Sequence, residues 1–145
     1  MSSNYENFFD ADKFAVVGNS LKMKFPVLTY RGLKNLSKTV YPVDPSASDI
    51  DGDKTYKTLD ELPENVERVI IEVPKQETGN WIRAVASAGI EDAWIHMGCD
   101  SQEAKKLAED NNINLRTGTC AVMYVTPGAS YHSIHKWIMK MLGKY

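Results

Sequence analysis

Short apolar, β-prone runs alternate along this chain with stretches of about a dozen residues at helical spacing, and that alternation admits few folds. Phe14 to Val17 reads as a first strand, ending at the small-residue loop Gly18-Asn19-Ser20, and apolar and hydroxyl residues fall at helical spacing from Val27 to Leu36. Val40 to Val43 reads as a second strand, with Pro42 suggesting a position near the strand's end or at a sheet margin. Val69 to Val73, Ala93 to Met97 and Ile113 to Arg116 read as strands three to five. One helix after Pro74 presents Trp81, Ile82, Val85 and Ala88 and stops at Gly89, and another is capped by Ser101 and closed by Asn111-Asn112. Strands joined this way form a parallel, doubly wound, three-layer α/β sheet of five strands, a Rossmann-like architecture.

The connections carry their own expectations. Val43 to Tyr56 reads as a loop rich in turn formers, and Thr58-Leu-Asp-Glu61 as a capping box whose short helical turn ends at Pro63. Ser3 to Asp10 reads as a short covering helix, with Ser2 or Ser3 as cap and Phe8 and Phe9 as anchors. Ala129 to Tyr145 reads as a C-terminal helix, because Ile134, Trp137, Ile138, Met141 and Leu142 share one face that packs on this domain or on a second copy.

With 145 residues and 43% hydrophobic composition, one domain with one core is expected, its sheet core spanning 14–120 and its helical extension 129–145. A formal net charge of −2 argues against a general nucleic-acid binder, and no apolar run approaches the roughly 20 residues that span a bilayer. Two cysteines and a start without a basic or apolar leader point to a cytoplasmic protein with reduced thiols.

Open sheets of this kind bind ligands outside the carboxyl ends of the strands, where strand order reverses. That rule selects Gly18, Asn19 and Ser20, Val43, Asp44 and Pro45, Val73 and Pro74, His96, Met97 and Gly98, and the segment Thr117 to Cys120. Gly18 stands without the second and third glycines of a dinucleotide fingerprint. The loop reads either as a phosphate site, with Ser20 and backbone amides donating and Lys22, Lys24 and Arg31 supplying charge, or as an ordinary connection with solvated lysines. Asp44 reads as a ribose ligand in an NAD(P)-dependent oxidoreductase or, before Pro45, as a turn starter. Cys120 with His96 suggests an acyl or disulfide catalyst, against which stands the habit of such side chains to be inert core. His132 and His135 have a metal-permitting spacing, with Cys99 a speculative third ligand, and read better as a solvated helix face.

Several motifs in order, Val17-Gly-Asn-Ser20, Thr29-Tyr-Arg31, Tyr41-Pro-Val-Asp-Pro45, Tyr56 to Pro63, Trp94-Ile-His-Met-Gly98 and Cys120, resemble the stand-alone CoA-binding domain family. That family is similar to the CoA-binding domain of the succinyl-CoA synthetase α subunit. Its pattern has a G-A-S loop, V-N-P after strand two, W-x-Q-G after strand four and D-R-C at strand five; here Asn19 replaces Ala, His96 replaces Gln, and Thr117-Gly-Thr119 replaces D-R. The resemblance covers about Phe14 to Cys120. It implies CoA or an acyl-CoA across the switch point, the pyrophosphate near Gly18 and Ser20, the adenosine by Asp44 and Pro45, and Val73 and Pro74 helping to hold the cofactor. It further implies a binding module without chemistry of its own, acting alone, as a homodimer or with an unidentified protein partner.

Overall fold

The computed structural model describes residues 7–118 and residue 121. Cys120, His132, His135 and the tail helix expected over 129–145 lie outside the described residues, as does the first half of the expected N-terminal helix. Of that last helix a single 3-10 turn, Phe8–Asp10, is described.

Seven strands and three helices follow: β1 Lys13–Gly18, α1 Phe25–Asn35, β2 Thr39–Val43, β3 Asp49–Ile50, β4 Asp53–Lys54, β5 Arg68–Glu72, α2 Lys75–Ser87, β6 Asp92–Ile95, α3 Gln102–Asp110 and β7 Asn114–Arg116. Five strands form one parallel sheet in the order β2-β1-β5-β6-β7. Strand order reverses between β1 and β5, so the expected five-stranded doubly wound sheet is present with its switch point there. Pro42 lies in β2, an edge strand, where a missing N–H costs least.

The central strands are apolar through their middles, Val69 to Ile71 and Ala93 to Ile95, because both sheet faces are covered. Alternate residues separate cleanly: Ala15, Val17, Val69, Ile71, Ala93 and Ile95 pack with Ile82, Val85, Ala104 and Ala108 of α2 and α3. Phe14, Val16, Ile70 and Trp94 pack on the opposite face with Tyr30 and Leu33 of α1 and with Phe8, which is fully buried. Phe8 meets the Trp94 ring edge-on at 5.3 Å and Phe14 at 6.0 Å, so it anchors as its position in the sequence suggests.

Three local expectations need correction. The segment after β2 is not loop throughout: β3 and β4 form an antiparallel hairpin closed by Asp51 and Gly52, both at positive φ, 53° and 84°. Asp-Gly with two positive φ angles is the turn that suits strand twist. Thr58 makes no side-chain cap, and the Glu61 carboxylate accepts instead from the Lys57 N–H at 3.4 Å. The short helical turn itself is present as expected, one 3-10 turn, Leu59–Glu61, with Leu62 before Pro63 already extended. On α2 the buried face is Thr78, Gly79, Ile82 and Val85, leaving Trp81 half-buried and Ala88 exposed. The Ser101 cap is made as expected, its Oγ accepting from the Ala104 N–H at 3.1 Å.

Candidate functional site

The parallel register brings the carboxyl ends of four strands into one row. Val17 pairs with Val43, Gly18 with Glu72, and Ile71 with Ile95, so Asp44, Gly18, Glu72 and His96 lie side by side across β2, β1, β5 and β6. Asp44 is 1% exposed, and Glu72 and His96 are 0% exposed. Two buried carboxyl groups therefore flank the loop that follows β1.

Gly18 is required there by packing. A Cβ at this position would lie 2.3 Å from both Cβ and Cγ of Pro26, so only glycine lets the first turn of α1 sit this close to β1. Beyond it the loop turns on itself, the Lys22 and Met23 N–H groups both donating to the Asn19 carbonyl. The Ser20 N–H donates to Asp44 Oδ2 at 2.9 Å, while Asp44 Oδ1 accepts from the Ser46 N–H at 2.9 Å and from its hydroxyl at 2.5 Å. The Ser46 Oγ in turn accepts from the Leu21 N–H at 3.3 Å. Asp44 is thus the turn-forming aspartate, and it also consumes the Ser20 amide that the phosphate reading assigned to a ligand. The physical reason is plain: a carboxylate in reach of loop amides makes the same charge-assisted hydrogen bonds as a phosphate.

A second polar cluster was not singled out in the sequence. Thr29 of α1, itself fully buried, donates its hydroxyl to Glu72 Oε2 at 2.7 Å. His96 Nδ1 lies 3.3 Å from the same oxygen, within ion-pair distance but out of line for a hydrogen bond. Both ring nitrogens of His96, Glu72 Oε1 and Asn19 Oδ1 are buried without hydrogen-bond partners. His96 is therefore core, as the inert-core reading has it, although it lies just past the end of β6 and neither ring nitrogen has a hydrogen-bond partner. Phe25 covers it, the two ring centroids 4.2 Å apart. The signal available in the sequence was Glu72 itself, a charged residue inside Val69-Ile-Ile-Glu-Val73, since glutamate is almost never fully buried unless paired.

Close by, Cys99 is 2% exposed, and burial first, then the Glu72 and Asp100 charges, push its thiol up to about 12. The thiolate that nucleophilic or metal-binding chemistry needs is disfavoured there. Among the described residues no group of three or more His, Cys, Asp or Glu side chains could hold a metal ion. No helix among them is long and apolar enough to cross a membrane.

The remaining site candidates divide. Val43 and Val73 are buried, Pro74 and Met97 half-buried, and Pro45, Gly98, Lys22, Lys24 and Arg31 exposed. Ser20, Lys24 and Arg31 come together in the wall of a cavity of about 210 Å³ on the outer side of α1, with Met23, Val27 and Leu28. Lys22 does not line it. The Arg31 guanidinium is held by Asp51 of the hairpin in a bidentate pair at 2.7 and 2.8 Å. A larger cavity of about 390 Å³, between the 3-10 turn at Leu59 and Trp81 of α2, includes none of the strand-end residues.

Residues 12–126 match the model of a family described as a CoA binding domain. Over 73 residues the chain is 38% identical to the ADP-forming acetate–CoA ligase II subunit alpha of Pyrococcus furiosus, covering 48% of this chain and 16% of the relative. Over 132 residues it is 30% identical to the ADP-forming acetate–CoA ligase I of Archaeoglobus fulgidus, covering 83% of this chain and 19% of the relative. The chain thus spans under a fifth of the curated relatives it matches. Among solved structures, a hypothetical protein from Pyrococcus horikoshii OT3 superposes with a TM-score of 0.72 at 23% identity, covering 82% of this chain and 84% of that one.

Proposed function

The chain belongs to the CoA-binding domain family, and from that premise we propose that it holds CoA or an acyl-CoA at the carboxyl edge of its sheet and performs no covalent chemistry on it. The observation that carries the reading is the coincidence of two things. The family match runs through all five strands of the sheet, and the strand order reverses between β1 and β5, where an open α/β sheet receives its ligand. The absence of chemistry is supported at His96, which lies sealed beneath Phe25, while Cys99, the cysteine among the described residues, has its thiol pushed up to about 12; Cys120 lies outside the described residues. The ligase activity in the relatives' names is not carried over to a chain that matches less than a fifth of them.

The NAD(P) alternative is disfavoured by Asp44, the carboxylate it needs on a ribose diol. That group is 1% exposed and committed to Ser20 and Ser46. A thermal-shift titration with CoA, 3′-dephospho-CoA, NAD and NADP tests the reading. A ligand at a hundred times its Kd stabilises by about 2.7 kcal/mol, which for a domain of this size raises Tm by about 10 °C. Stabilisation by CoA with NAD and NADP silent is expected; stabilisation by NAD or NADP alone overturns the proposal.

A further inference from the structure

The cavity of about 390 Å³ between the 3-10 turn at Leu59 and α2 lies apart from the strand ends, and its volume falls within the roughly 300–1,000 Å³ of small-molecule sites. Leu59, Ala84 and the half-buried Trp81 give it an apolar floor, and no ring among the described residues stacks on the Trp81 indole. Helical spacing creates the space. Trp81, Ala84 and Ser87 recur at every third position of α2, beside the stripe of Thr78, Ile82 and Val85 that enters the core, and the small Ala84 in the middle leaves the gap open.

The charges on its rim are placed by chain direction. Tyr56 is bridged to Val43 at the carboxyl end of β2 and Arg68 opens β5, so the segment between them descends past the sheet. α2 descends the same way, from the end of β5 to the start of β6. The two walls therefore run in parallel, which sets Lys57 and Thr58 toward Asn80, and Asp60 toward Ser87 in the last turn of α2. Asn80 to Ser87 spans about 10 Å of helix, and the partial negative charge of the helix C-terminus adds to that of Asp60.

These groups are uncommitted. The Lys57 ammonium, Thr58 hydroxyl, Asp60 carboxylate and Ser87 hydroxyl make no hydrogen bond or ion pair among the described residues. Asn80 Oδ1 accepts from the Arg83 guanidinium at 2.8 Å, which leaves the Asn80 NH2 to donate. A further depression of about 150 Å³ beyond Leu59 has one charged wall residue, Glu64, already held by Lys13 and Tyr41, so it offers no free charge.

We propose that the α2 cavity is a second small-molecule site, separate from the carboxyl edge of the sheet, for an elongated zwitterion of the ω-amino acid class with a flat apolar body. The ligand carboxylate takes Lys57, the Thr58 hydroxyl and the Asn80 NH2. Its ammonium takes Asp60 and the Ser87 hydroxyl, and its body lies on Trp81 above Leu59 and Ala84. One cation and one anion cancel on the rim, so a polyanion such as CoA gains nothing there. The site stands or falls independently of the CoA reading.

Amide and indole chemical-shift titrations of the full chain test it, with para-(aminomethyl)benzoate as the zwitterion and para-methylbenzoate and para-methylbenzylamine as probes lacking one charge. The zwitterion shifts Trp81, Ala84 and Ser87 and binds about fivefold tighter than either single-charge probe, the scale of one exposed ion pair. Lys57→Gln and Asp60→Asn alter exposed, unbonded side chains and leave the fold unchanged. Lys57→Gln weakens the zwitterion about fivefold and leaves para-methylbenzylamine unaffected; Asp60→Asn weakens it equally and leaves para-methylbenzoate unaffected. A Trp81 signal that ignores the zwitterion, a zwitterion that binds no tighter than its single-charge relatives, or affinities indifferent to both variants overturns the proposal. Displacement of the zwitterion by CoA overturns it too, since the cavity would then belong to the CoA site.

Discussion

Thr29→Val isolates the most anomalous contact in the molecule. Valine keeps the branched shape of threonine in α1 and deletes only the hydroxyl, so the change removes the 2.7 Å hydrogen bond to Glu72 Oε2 and little packing. Both residues are 0% exposed, so no water replaces the lost donor. Glu72 Oε1 already lacks a hydrogen-bond partner, and after the substitution the second oxygen would keep only the misaligned His96 nearby. Stranding a buried acceptor in this way costs about 1–3 kcal/mol. For a chain of this length that lowers Tm by about 3–10 °C. The double variant Thr29→Val/Glu72→Leu removes both partners together, and replacing a buried polar pair by apolar groups of similar shape is neutral or stabilising. It is therefore expected to melt at or above the wild-type temperature. Calorimetry on the three variants, read as a double-mutant cycle, gives the coupling. A Thr29→Val protein that melts with the wild type, or a double variant whose losses simply add, refutes the argument. The expected result would mean that the cluster at the end of β5 is not there for stability.

Two further outcomes follow from the packing around the strand ends. Gly18→Ala places a Cβ 2.3 Å from two carbons of Pro26, more than 1 Å inside normal contact, so the start of α1 must retreat at a cost of about 1–3 kcal/mol; a thermal melt within 1 °C of wild type would contradict it. The Cys99 thiol, raised from 9.0 to about 12 mainly by burial, binds its proton more tightly folded than unfolded. Its contribution to stability is therefore complete below pH 9 and lost as pH rises toward 12, so a Cys99→Ala protein should lose less stability over that window than wild type, as alkaline denaturant titrations would read.

The sheet was readable because its central strands are buried on both faces and therefore written as unbroken apolar runs, a pattern few other elements share. Val69-Ile-Ile and Ala93-Trp-Ile could hardly be anything else between two helical periods. The β3–β4 hairpin escaped because two-residue strands carry no period, although its turn pair Asp51-Gly52 was a usable signal. The short helical turn before Pro63 was legible, but its cap was not: the Thr58 side chain makes no cap hydrogen bond to a turn of only three residues. The site was half readable. The switch-point rule named strand ends that the register sets in one row, but it could not say that Asp44 would reach across to the Ser20 amide or that Thr29 would find Glu72 across 43 residues. Such pairings belong to register and helix placement, which no local pattern encodes.

The same row of residues also explains why this edge keeps groups that stability alone would discard. Four buried polar atoms without partners cluster at the ends of three adjacent strands, and each costs about 1–3 kcal/mol, a large part of a domain's net stability of 5–15 kcal/mol. Apolar residues at His96, or at Glu72 together with Thr29, would lighten that burden while leaving the sheet register intact, since the backbone ladder between β5 and β6 makes no use of these side chains. Retaining the groups is intelligible if the strand ends meet a ligand, as the CoA reading has it.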